Sequence, residues 1–114
     1  MAKSVTIYHN PKCTTSCNVL AMIEERGAKP KVVEYLKTGW TKPQLKALFA
    51  AAGLTPREAM RKRAAEDLGI SERATAAQIL DAMVENPVLV ERPFVETSKG
   101  VVLARPKERV KEVL

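Results

Sequence analysis

Thr6-Ile7-Tyr8-His9-Asn10-Pro11-Lys12-Cys13-Thr14-Thr15-Ser16-Cys17-Asn18 begins in an alternating apolar segment (Val5, Ile7) and passes through Asn-Pro to a cysteine. A helical pattern on Val19, Leu20 and Ile23 follows. That order puts Cys13 where a strand ends and a helix begins. The free N–H groups and positive dipole end of a helix start stabilise negative charge. A thiol held there loses its proton more readily than a free cysteine, whose pKa is about 8.5, and the thiolate is the nucleophile. Lys12 and His9 add positive or proton-handling groups nearby. The stretch therefore predicts a reactive cysteine in preference to a packed one.

Working outward, the first strand is predicted at Ser4 to Tyr8 and the helix from Thr14 to Arg26, closed by Gly27. Lys31 to Leu36 sets Val33 and Tyr35 between charged neighbours and reads as a second strand. Thr41-Lys42-Pro43-Gln44, Thr55-Pro56-Arg57-Glu58 and Thr75-Ala76-Ala77-Gln78 then announce three helices by capping boxes, the second strengthened by Pro56. Leu45, Leu48, Phe49 and Ala52 give one of them its inner face, and Ile79, Leu80, Met83 and Val84 another, with Asn86-Pro87 as its end. Phe94 to Glu96 and Val101 to Ala104 read as two strands joined by a turn at Thr97-Ser98-Lys99-Gly100, and Pro106 opens a terminal helix carrying Val110, Val113 and Leu114. The sum is one α/β domain over residues 1–114: β-α-β, a helical middle, then β-β-α. That is the element order of the thioredoxin fold with a helical insertion. Such folds carry a cis proline before the third strand, and Arg92-Pro93 occupies that place.

The 114 residues are 46% hydrophobic and only 4% aromatic, so a real core is affordable but must be mostly aliphatic and alanine. Two cysteines, no secretory leader and no long apolar run predict a soluble cytoplasmic chain with reduced thiols and no membrane segment. Met1-Ala2-Lys3-Ser4 is expected to pass directly into the first strand. The net charge of +6 fits either nucleic acid or small anions. The basic residues are scattered without interleaved aromatics for base stacking, and Arg61-Lys62-Arg63 is a short run within a predicted helix. An anionic small substrate suits the pattern better than nucleic acid.

Arg92 and Arg105 stand where the fold would bring the chain back to Cys13, and Arg61 follows Arg57 by one turn on the helix predicted at Pro56. Arginine offers a rigid fork of donors that matches tetrahedral oxyanions. With these residues in place, the chain resembles the glutaredoxin-dependent arsenate reductase family over about Val5 to Leu114. His9-Asn10-Pro11-Lys12-Cys13-Thr14-Thr15-Ser16 is similar to that family's His-Asn-Pro-x-Cys-x-x-Ser loop, and Arg61-Lys62, Arg92-Pro93 and Arg105-Pro106 resemble its three arginine positions. The resemblance implies that Cys13 attacks the arsenic of arsenate while Arg61, Arg92 and Arg105 bind the oxyanion. It also implies that glutathione, as a cosubstrate, displaces the adduct, and that glutaredoxin resolves the mixed disulfide and releases arsenite. His9 and Ser16 would lie in the outer shell, with His9 helping to keep Cys13 ionised. No tightly bound cofactor or metal is implied, and the chain is expected to act as a monomer. The family pattern usually continues Cys-x-x-Ser-Arg, and here Cys17 replaces the arginine.

Each of these residues also has a plainer reading. Cys13 could be a buried structural thiol. Cys17, one turn into the helix, is expected to pack as a small apolar side chain; the competing reading is a resolving thiol. A spacing of four puts the Cα atoms of Cys13 and Cys17 at about 6 Å, near the upper end of disulfide geometry. His9 could be simply a satisfied hydrogen-bonding group, and His9, Cys13 and Cys17 lack the paired spacing of zinc ligands. Arg57 and Arg63 could stand in for Arg61, and Trp40 and Phe94 are expected to be packing residues. Three functions remain open: an arsenate-reductase-like thiol enzyme, a general thiol-disulfide oxidoreductase, and a redox-sensing partner of the transcription machinery. The absent C-x-x-C counts against the second, and the arginine set favours the first over the third.

Overall fold

The computed structural model describes residues 4–114 and divides the chain into two compact units. Met1-Ala2-Lys3, and with them most of the expected run into the first strand, lie outside the described residues. One unit takes the chain up to Thr38 together with Arg92–Leu114, and the other is Gly39–Glu91.

The first unit holds β1 (Val5–Tyr8), α1 (Thr14–Glu25), β2 (Lys31–Val33), the short helix α2 (Tyr35–Thr38), β3 (Phe94–Thr97) and β4 (Gly100–Leu103). A 3₁₀ helix at Lys107–Glu112 follows β4. The sheet order is β2-β1-β3-β4, with β1 and β2 parallel and the other pairs antiparallel. Ile7 stands opposite Val95, and Val95 opposite Val102, so these side chains share one face. Val19 and Ile23, one turn apart on α1, pack with them, as do Val5, Val110, Val113 and Leu114. Full burial of each such side chain contributes about 1.5–3 kcal/mol. Thr97 ties the terminal segment down by donating its hydroxyl to the Val113 carbonyl at 2.7 Å. Gly27, at φ +81, stops α1 with its N–H on the Glu24 carbonyl at 2.9 Å. A side chain is rarely accommodated in that left-handed conformation.

Several sequence expectations need correction here. The second strand ends at Val33, not Leu36. The Glu34 carbonyl accepts the N–H groups of Lys37 and Thr38, closing a helical turn that buries Tyr35. A single buried residue after a short strand satisfies either period, so alternation could not separate them. The terminal helix is 3₁₀, whereas the turn at Thr97-Ser98-Lys99-Gly100 forms as expected, with Thr97 paired to Gly100 at the ends of the two strands. Arg92–Pro93 is cis as expected, and Arg105–Pro106 is cis as well.

The second unit is helical: α3 (Lys42–Ala52), α4 (Lys62–Asp67), α5 (Ala76–Glu85) and a 3₁₀ turn at Pro87–Leu89. The boxes at Thr41 and Thr75 form with both reciprocal bonds. At Thr55 the box also forms, with Thr55 N–H on Glu58 at 3.0 Å and Glu58 N–H on the Thr55 hydroxyl at 3.2 Å. Yet the expected helix there is only a turn. The backbone ahead is taken up by Leu89–Glu91: Arg61 N–H goes to the Leu89 carbonyl at 2.7 Å, and the Ala59 carbonyl accepts from Glu91 at 2.8 Å. Helix restarts at Lys62 with Arg61 as its N-cap residue. Leu45, Leu48, Phe49, Ile79, Leu80 and Met83 are buried, whereas Val84 is exposed. Among the described residues no helix is long and apolar enough to cross a membrane.

Candidate active site

The loop from β1 to α1 is organised by Asn10. Its side-chain oxygen accepts the Lys12 N–H at 2.9 Å, its carbonyl accepts the Cys13 N–H at 3.0 Å, and its own N–H donates to the Ser16 hydroxyl at 3.1 Å. Asn10 was quoted in the sequence motif but given no role there. The Asn-Pro pair is the available signal, since Asn side chains fold the backbone two residues on. Together these bonds fix Cys13 as the N-cap residue of α1, with extended φ −98 and ψ 120.

Cys13 is buried and free. Burial pushes its thiol up. The Ser16 N–H, the hydrogen bond and charge of Arg92, and the Thr15 N–H together outweigh that effect and hold the thiol below its ordinary value. Arg105 places Nη1 3.9 Å from the Cys13 sulfur and 3.2 Å from the Arg92 carbonyl. The guanidinium is thereby braced against the backbone that carries the other arginine. No acidic residue stands in the first turn of α1 to oppose this field. Thr15, Arg105, Pro106, Lys107 and Glu108 line a cleft of about 390 Å³ alongside.

His9 and Ser16 are both buried, with Nδ1 2.6 Å from the Ser16 hydroxyl. Burial lowers the His9 pKa, with Glu34 pulling the other way, so the imidazole is neutral at neutral pH. The positive charge at the site therefore comes from the arginines. His9 bears on the loop through Ser16, whose backbone N–H faces the sulfur.

Cys17 departs from its expected packing. The buried positions of α1 are Ser16, Val19 and Ile23, and Cys17 is exposed, its thiol donating to the Pro11 carbonyl at 3.3 Å. Arg61 belongs to the helical unit and, with Arg63, Ala64, Asp67, Leu68 and Val88, lines a cavity of about 360 Å³ there. Arg57 is engaged elsewhere, its guanidinium donating to the carbonyls of Ser71, Glu72 and Ala74 at 3.0–3.3 Å. It is a clamp on that loop. Trp40 and Phe94 are buried. Among the described residues no group of three or more His, Cys, Asp or Glu is placed to hold a metal ion.

A sheet of this order, with a cysteine at the N-cap position of its first helix whose thiol faces the residue before a cis proline, defines a thioredoxin-like protein. Residues 8–113 match the model of the ArsC family, and the chain belongs to that family. A Synechocystis protein named arsenate reductase ArsI2 is 59% identical over 113 residues, 96% of this chain and 81% of its own length. The Escherichia coli K12 protein named arsenate reductase is 41% identical over 114 residues, 97% of this chain and 81% of its own length. Among solved structures, an arsenate reductase from Vibrio cholerae superposes with a TM-score of 0.92 at 37% identity, covering 100% of both chains.

Proposed function

We propose that the chain is an enzyme that reduces arsenate to arsenite, acting as one domain with Cys13 as nucleophile. The observation that carries the reading is the Cys13 thiol at the start of α1, lowered in pKa and flanked by Arg92 and Arg105, in a member of the ArsC family. The thiolate attacks arsenic, forming an S–As bond while one arsenate oxygen leaves as water. Arg92 and Arg105 hold the remaining oxygens and oppose the charge that builds on them. Arg61 is included as a third oxyanion donor on the sequence motif Arg61-Lys62 alone.

Glutathione then attacks the Cys13 sulfur. An S–S bond forms, the S–As bond breaks, and arsenic keeps the electron pair and departs as arsenite. Glutaredoxin takes the glutathionyl group and returns Cys13 to the thiol. A cleft lined by Thr15 and Arg105, residues that neighbour Cys13, supports an approach of the second thiol from that side. The chemistry is nucleophilic and electrostatic.

The test is arsenite formation from arsenate with glutathione and glutaredoxin present, on the wild type and on Cys13→Ser. Turnover by the wild type and none by Cys13→Ser is expected; turnover that survives the substitution refutes the mechanism.

A further inference from the structure

Cys17 is a second thiol close in sequence to Cys13 that the proposed mechanism does not use. It sits one helical turn on, its N–H bonded to the Cys13 carbonyl at 3.0 Å. In that geometry the two Cα atoms stand about 6 Å apart, within the span a disulfide bridges. Helix side chains tilt toward the N-terminus. The Cys17 thiol follows that rule, reaching back to the Pro11 carbonyl at 3.3 Å and so lying over the loop that presents Cys13. It is exposed, so no packing role accounts for it. Cys13, with extended φ and ψ at the cap, stands outside the helical backbone that restricts side-chain rotamers in the turns beyond.

We propose that Cys17 is a resolving thiol, which attacks the Cys13 sulfur once Cys13 carries a thiol-derived group and closes a Cys13–Cys17 disulfide. The inference rests on Cys13 being the nucleophile proposed above. In the step, the Cys17 sulfur loses its proton and bonds to the Cys13 sulfur. The Cys13–glutathione S–S bond breaks, and the glutathione sulfur leaves with that electron pair and takes up a proton. The two cysteines are oxidised to a disulfide and the glutathionyl group is reduced to free glutathione. Tethering across four residues gives Cys17 a high effective concentration against thiols from solution. In this route Cys17 takes the place of glutaredoxin in removing the glutathionyl group, and the resting dithiol is then restored by a dithiol reductant of the Cys-x-x-Cys class, with no further glutathione needed.

Oxidised glutathione serves as the probe, with no arsenate present, on the wild type and Cys17→Ser. Each protein is read by intact mass and by iodoacetamide labelling. The wild type is expected to finish as the bare chain less two hydrogens, with neither cysteine labelled. Cys17→Ser is expected to retain one glutathionyl group on Cys13. A wild type that retains glutathione on Cys13, with Cys17 still labelled, overturns the resolving role and leaves the nucleophile in place. Failure of both proteins to take up glutathione removes the nucleophile itself, and the resolving role with it.

Discussion

At the residue scale, the ionisation of Cys13 is a balance of opposed effects. Burial favours the thiol, while two backbone N–H groups and Arg92 favour the thiolate. The iodoacetamide rate at Cys13 should therefore reach half its maximum below the ordinary thiol range, and Arg92→Leu should move that midpoint to higher pH. An unmoved midpoint would show that the backbone donors suffice. The sign for stability follows from linkage. A thiol lowered in the folded chain binds fewer protons there than when unfolded. Its contribution is fully present above the unfolded pKa and is lost as pH falls through the folded one. Geometry matters separately from charge, since lysine offers a point cation in place of a planar fork. Arg92→Lys and Arg105→Lys should each slow arsenate turnover about tenfold or more, which corresponds to about 1.4 kcal/mol. Arg73→Lys, on an exposed connector, should change little.

At the scale of elements, capping chemistry was readable but helix length was not. The boxes at Thr41, Thr55 and Thr75 all form their reciprocal bonds, because those bonds are made within four residues. Only the first and last open full helices, since the backbone after Thr55 is claimed by Leu89–Glu91, about thirty residues away in sequence. Thr41→Ala and Thr75→Ala should each cost about 1 kcal/mol, seen as a lower urea midpoint at unchanged slope. A changed slope would mean that the cap governs more than its own helix. The β1–α1 junction was legible for the same local reason. Apolar alternation, Asn-Pro and a cysteine before a helical pattern each act over a few residues. The solvent-facing side of Cys17 was not legible, because it depends on which face of α1 meets the sheet. That face is Ser16, Val19 and Ile23.

Across the whole molecule, the sheet unit is made of two stretches of chain separated by Gly39–Glu91. Element order was enough to anticipate that layout, as it was enough to place Arg92 and Arg105. The role of Arg61 is a matter for measurement: Arg61→Lys should slow arsenate turnover about tenfold, as the other two substitutions do. If it behaves like Arg73→Lys, oxyanion binding rests on the sheet unit alone. The split layout also sets the order in which the neighbours of Cys13 are made. A ribosome delivers Cys13 early, with the N–H donors of Thr15 and Ser16 beside it, but Arg92 and Arg105 emerge some eighty and ninety residues later. Strand β3 must also travel back across that gap to pair with β1. Until then Cys13 has neither of the guanidinium partners that neighbour it in the folded chain. The surroundings that lower the Cys13 thiol are therefore complete only once β3 has paired with β1 and Arg92 stands beside the sulfur.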